Sequence, residues 1–147
     1  MLNYNRALQE DKSYQDLQMK EVKPIMKLII RGKKREFISA VRKSLNILLP
    51  TEPNTSTQSE KLTALWLSPD EWMIFSNESI DETSNSYETE ELLNDNISKL
   101  NLGAVTDVTD QFVMINLKGN KIYDLFQTGS PFNFNQFQNK KGAVAQT

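Results

Sequence analysis

Leu65-Trp66-Leu67-Ser68-Pro69-Asp70-Glu71-Trp72-Met73-Ile74-Phe75 is two apolar runs joined by a short polar turn, with a tryptophan on each shoulder. Pro69 presets φ for a turn, and Asp70 can accept a hydrogen bond from its own backbone. Leu62 to Leu67 and Glu71 to Phe75 are therefore expected to pair as a β-hairpin.

Working outward, Ile25 to Arg31 is a strand of Ile, Met, Leu and two further Ile that stops at Gly32. Lys33 to Ile47 reads as a helix, because Phe37, Val41, Leu45 and Leu48 recur on one face. Pro50 and Pro53 end it, and Thr51 to Glu60 is a loop of small polar residues. Asn77 to Ser86 is a second polar loop. A helix is expected from about Tyr87 to Leu100, with Glu88, Glu90 and Glu91 at its positive end and Leu93, Ile97 and Leu100 as its buried stripe. Gly103 supplies the stop. Val105 to Thr109 and Phe112 to Leu117 follow as strands, then a short helix from about Asn120 to Gln127 that buries Ile122, Leu125 and Phe126. Gly129-Ser130-Pro131 breaks that helix. Residues 1–23 carry few apolar positions and read as a polar N-terminal arm, either disordered or docked on a partner.

The order to residue 109 is strand–helix–strand–strand–helix–strand, which is the split βαβ or ferredoxin-like arrangement. A second strand–helix–strand unit then begins and is left incomplete, with Gly142 to Thr147 as a strand lacking a return partner. The expected class is α+β, with 24–147 as one domain. Its unfinished second unit implies a truncated C-terminus or an edge covered by a neighbouring chain.

The 147 residues suit one domain that buries about 70% of its unfolded surface. The charge of −2 gives no general attraction to nucleic acid or to an anionic membrane. No run approaches the ~20 apolar residues that span a bilayer, and Met1 to Lys23 lacks the apolar segment of a signal peptide. A cytoplasmic location is the expectation. The chain holds no Cys and no His. That removes thiolate nucleophiles, disulfides, Cys/His zinc sites, iron–sulfur clusters, histidine bases and covalent flavin attachment through either residue. The glycines are too scattered for a dinucleotide fingerprint.

Several groups stand out against this background. Arg31, Lys33, Lys34, Arg35, Arg42 and Lys43 form a basic cluster, readable as a solvated helix face or as a contact for phosphate, polyglutamate or an acidic partner. Lysines at a helix N-terminus oppose its dipole, which favours a partner that offsets them. Asp107 and Asp110, with Thr106 and Thr109 beside them, are the nearest thing to a carboxylate pair, although Asp and Thr also bond local backbone. Trp66 and Trp72 either stack on a flat ligand or bury their rings in the sheet–helix core. Phe132 and Phe134 would point to one side of an extended segment and, with Phe137, mark a subunit contact or an internal cluster. No residue is assigned a catalytic, cofactor-binding or metal-ligating role.

LWLSPDEW at 65–72 and AVTDVTD at 104–110, followed by Phe112 to Gly119 and closed by Lys141-Gly142-Ala143-Val144-Ala145-Gln146-Thr147, resemble the gamma subunit of heterotetrameric sarcosine oxidase. That subunit is similar in fold to the folate-binding domain of aminomethyltransferases, and the resemblance runs from roughly Pro24 to the end. It implies a non-catalytic subunit in a complex that demethylates sarcosine to glycine and yields peroxide, passing the one-carbon unit to tetrahydrofolate or releasing it as formaldehyde. It further implies alpha, beta and delta partner chains, with FAD, FMN, NAD, tetrahydrofolate and zinc held by those chains and none by this one. It would make Asp107 the candidate for a contact with the pterin or the tail of folate. Lys141-Gly142-Ala143 resembles the Lys-Gly-Cys segment of related folate-binding proteins of iron–sulfur cluster maintenance, with Ala143 where the thiol would be. The alternatives are a free-standing folate-binding protein and an interaction module of another folate-linked demethylating complex.

Overall fold

A computed structural model describes residues 5–80, 87–137 and 140–146. In chain order its elements begin with two short strands, β1 (Lys12–Tyr14) and β2 (Leu17–Glu21). The strand β3 (Lys27–Arg31) and the helix α1 (Arg35–Leu45) follow, then β4 (Ser56–Gln58), β5 (Leu62–Ser68) and β6 (Glu71–Ser76). The helix α2 (Glu88–Leu93) continues into one π-helical turn (Asn94–Ser98), and β7 (Ala104–Asp107), β8 (Ile115–Lys118) and α3 (Ile122–Gly129) come next. A 3₁₀ turn spans Phe134–Phe137. The molecule is of mixed α and β structure with antiparallel sheets. Its described residues divide into two compact units, 25–80 with 87–112 and 142–146, and 5–24 with 113–137 and 140–141.

The larger unit is a five-stranded antiparallel sheet in the order β4-β5-β6-β3-β7. The 65–75 stretch forms the expected hairpin, with Trp66 opposite Trp72 and an irregularity between Trp66 and Ser68. Strand periodicity places Leu28 and Ile30 of β3, Leu62 and Ala64 of β5, and Trp72 and Ile74 of β6 on one face. Phe37 and Val41 of α1, Leu93 of α2 and Ile97 of the π turn complete the core with them. Leu28, Ile30, Phe37, Val41, Ala64, Ile74, Leu93 and Ile97 are wholly buried.

Phe37 is seated by close backbone approach. A Cβ on Gly32 would lie 2.4 Å from its ring, and a Cβ on Gly103 would lie 2.7 Å from the ring and 2.3 Å from the Arg31 carbonyl oxygen. Only glycine fits at either place. Gly103 therefore does more than stop the helix before it.

Two expected burial patterns and one expected strand differ in the structure. Asn46 takes the left-handed conformation (φ 50°) and closes α1, so Leu48 turns away and is 58% exposed. The π turn adds a residue to its helical cycle, as the bond from Lys99 N–H to Asn94 O shows, and left-handed Asn101 (φ 54°) then ends the helix with bonds from Asn101 N–H to Ser98 O and from Leu102 N–H to Ile97 O. The stripe that buries Leu93 and Ile97 then passes to Leu102, which packs on the core, and Leu100 is left 61% exposed. The segment from Gly142 is no full strand. It makes one bridge, Thr55 to Ala143, flanked by bonds from Ser56 N–H to Gly142 O and from Val144 N–H to Asn54 O.

The smaller unit is a three-stranded antiparallel sheet, β1-β2-β8, with α3 and the 3₁₀ turn. Residues 12–21, expected within a polar arm, instead pair: Glu21 lies opposite Ile115 and Met19 opposite Leu117. The arm's low apolar content hid this, because backbone ladder bonds need no apolar side chains. Residues 1–4 of that arm and 81–86 of the second polar loop lie outside the described residues. So does Thr147. Strand β8 starts at Ile115, later than expected, and α3 buries none of its residues fully. Leu125 and Phe126 are each 37% exposed.

The phenylalanines do not form an extended alternating segment. The 3₁₀ turn gathers them, with ring centroids 5.0 Å apart for Phe132 and Phe134, 5.3 Å for Phe132 and Phe137, and 6.1 Å for Phe134 and Phe137. Phe126 of α3 stacks on Phe134 at 4.8 Å, and Phe134 is buried.

Candidate functional site

The basic cluster divides in two. Arg31 and Lys33 face the tip of the β5–β6 hairpin: Arg31 reaches Asp70 and Glu71 at 3.9 Å each, and Lys33 reaches Asp70 at 3.7 Å. The Gly32 N–H donates to the Asp70 carbonyl at 3.0 Å. The Ser68 hydroxyl, 3.0 Å from the Asp70 carboxylate, and then the charges of Lys33 and Arg31 hold that carboxyl below its ordinary range against some desolvation. The two most conspicuous features of the sequence thus fasten each other, and these cations serve the hairpin.

Lys34, Arg35, Arg42 and Lys43 stay free of ion pairs among the described residues, and all four are exposed. Arg35 and Lys43 stand on the rim of an open groove of about 450 Å³ between α1 and the end of the π turn. Ala40, Leu100 and Leu102 supply its apolar lining, and Ser39, Ser44 and Asn96 its neutral polar groups; Glu36 is its one acidic residue. Spacing along α1 explains the arrangement, since 35, 36, 39, 40, 43 and 44 fall on one stripe of a helix. This face was legible in the sequence only as a run of cations; its apolar share, Ala40 of α1 with Leu100 and Leu102 beyond the π turn, was not.

Of the two aspartates in the 104–110 segment, Asp107 is half-buried and Asp110 is exposed. The Thr109 N–H donates to Asp107 Oδ1 at 2.8 Å, a local turn that occupies the carboxylate. Beside it lies Lys27, 4% exposed, whose Nζ donates to the carbonyls of Thr109 at 2.8 Å and Ile25 at 3.1 Å. Its own N–H donates to Thr109 Oγ1 at 3.0 Å. Burial lowers the Lys27 pKa, with the charges of Asp110 and Asp107 opposing the shift. Sequence reading missed Lys27, which sat unremarked inside an apolar strand.

Trp72 is 4% exposed, stacks on Phe37 with centroids 5.9 Å apart, and donates its indole N–H to the Pro50 carbonyl at 2.8 Å. Trp66 is partly buried against the same core. Among the described residues no group of three or more His, Cys, Asp or Glu could hold a metal ion. No helix there is long and apolar enough to cross a membrane.

No protein-family model matches the sequence, and no curated protein matches it. Among solved structures the chain is similar in fold to a chain of the heterotetrameric sarcosine oxidase from Corynebacterium sp. U-96, solved in complex with pyrrole 2-carboxylate. The TM-score is 0.60 at 18% identity, over 80% of this chain. The match spans 57% of that chain's length. The neighbour is thus part of an oxidoreductase complex of several subunits.

Proposed function

We propose that this chain is a non-catalytic, gamma-type subunit of a heterotetrameric sarcosine oxidase. In this reading β3, α1, β5, β6, α2 and β7 are a ferredoxin-like unit of the aminomethyltransferase folate-binding kind, and β4 is an addition at its edge. The complex demethylates sarcosine to glycine with peroxide formation, delivering the one-carbon unit to tetrahydrofolate or as formaldehyde. FAD, FMN, NAD, tetrahydrofolate and zinc belong to the alpha, beta and delta chains, and this chain helps to hold the assembly together in the cytoplasm.

The observation that carries the proposal is the fold likeness over 80% of the chain to a sarcosine oxidase chain. Two features of the larger unit support it. The tryptophans and Asp107, the residues best suited to a flat ligand, are engaged in packing and in a local turn. The cations of α1 and the exposed Leu100 instead suit contact with another protein.

Coexpression of this chain with the alpha, beta and delta chains tests the reading. The four are expected to coelute with flavin and with sarcosine-dependent peroxide production, whereas the lone chain is colourless and inactive. A lone chain that binds flavin or tetrahydrofolate stoichiometrically, or fails to coelute with the others, overturns it.

A further inference from the structure

We propose that the groove between α1 and the π turn is a docking site for an acidic amphipathic helix of a partner protein. The proposal takes its partner from the subunit reading but its evidence from the groove itself.

The first observation is charge. Arg35 and Lys43 stand two turns apart on one rim, with Lys34 and Arg42 nearby, and none of them has an ion-pair partner among the described residues. The opposite rim is neutral, formed by Asn96, Leu100 and Leu102. Glu36 is the one acidic residue of its lining; on the other side Asp95 is held by Lys99 at 2.5 Å, and the charge of Glu91 falls on that same lysine. The surplus on the α1 side is therefore positive, and it faces outward.

The second observation is shape. An open groove of about 450 Å³ along the flank of α1 receives a helix more readily than it encloses a small molecule. The α1 stripe from Arg35 to Ser44 runs for roughly 14 Å, matching about ten residues of a partner helix. Leu100, 61% exposed at the groove, offers an apolar seat for a partner side chain. The matching occupant carries leucine-like residues at helical spacing on one face and Glu or Asp along the flank that meets Arg35 and Lys43. A basic occupant would be repelled, and a purely apolar one would leave both cations unmatched.

A fluorescein-labelled peptide of about four helical turns, with leucines on one face and glutamates flanking them, serves as the probe. Its controls are a scrambled peptide of the same composition and a version with lysines in place of the glutamates. Binding to the full chain is followed by fluorescence anisotropy at two salt concentrations. The acidic amphipathic peptide is expected to bind, and salt to weaken it. The double variant R35E/K43E, both positions exposed and so outside the core, is expected to lose roughly tenfold or more in affinity and to prefer the lysine peptide.

Equal binding of the scrambled peptide would reduce the groove to a general charge effect and overturn the proposal. So would no binding, an unchanged affinity in the variant, or self-association of the chain that the same variant abolishes. Failure of the wild-type chain to coelute with the flavin-bearing chains would count against the subunit reading and leave the groove standing.

Discussion

At the scale of single residues, Phe37 and Lys27 are each held in the larger unit by close main-chain contacts. Phe37 fits because Gly32 and Gly103 leave room for it. Gly103→Ala would bring a methyl within 2.3 Å of a main-chain oxygen, which a side-chain rotation cannot relieve. A loss of about 1–3 kcal/mol is expected, seen as an earlier urea midpoint with an unchanged slope. An unaltered midpoint would show that the backbone yields there at no cost. Lys27 makes a prediction about pH. Its pKa is lowered in the folded chain, so the folded state bears the cost of a buried charge at neutral pH. That cost falls away as pH rises through the folded pKa toward the ordinary lysine value of 10.5. The melting temperature of the wild-type chain relative to Lys27→Met should therefore rise on going from neutral to alkaline conditions. A difference that stays constant with pH would mean that the lysine is solvated.

At the scale of elements, the sequence announced the hairpin, both larger helices and the strand before α1, because each has strong local chemistry. Alternation, a proline turn and a 3.6-residue stripe are all readable within about a dozen residues. What could not be read was a change of period. Nothing local in Asn94 to Ser98 demands a π turn, which holds the wholly buried Ile97 and precedes Leu102 on the core. The contrast gives a test. Ile97→Ala, at a wholly buried site, should cost about 2–5 kcal/mol, whereas Leu100→Ser should change stability by less than about 0.5 kcal/mol. Thermal melts of the two variants decide it, and a large loss at Leu100 would put that side chain back in the core. The pairing of β2 with β8 escaped notice for another reason. It joins segments far apart in the chain, and its strands, with side chains half-exposed or exposed along most of their length, carry a weak apolar pattern. As for the candidate site, its cations were visible in the sequence, while the groove they border belongs to tertiary structure.

At the scale of the whole molecule, the two units differ in how much they bury. The larger has a core of wholly buried apolar side chains. In the smaller, Glu21 and Phe134 are the residues in the fully buried class among those described. Glu21 is bonded there by the Leu8 N–H at 2.7 Å. Local opening follows local burial, so native-state hydrogen exchange should rank the units. Amides of β3, β6 and α1 are expected to exchange only through global unfolding, and those of β8 and α3 through smaller openings at lower denaturant. Uniform protection across both sheets would mean that they open as one.

The ladder of Glu21 opposite Ile115 also sets a schedule for the chain as it is made. Strand β2 leaves the ribosome long before the segment that will complete its sheet. At a synthesis rate of about 5–20 residues per second, the wait is roughly 5–20 s. During that interval β2 presents an open backbone edge, to which a second nascent chain could add. Its charged and polar alternation, Leu17-Gln18-Met19-Lys20-Glu21 after Lys12 and Asp16, keeps that edge unattractive to strangers until its own partner has been translated.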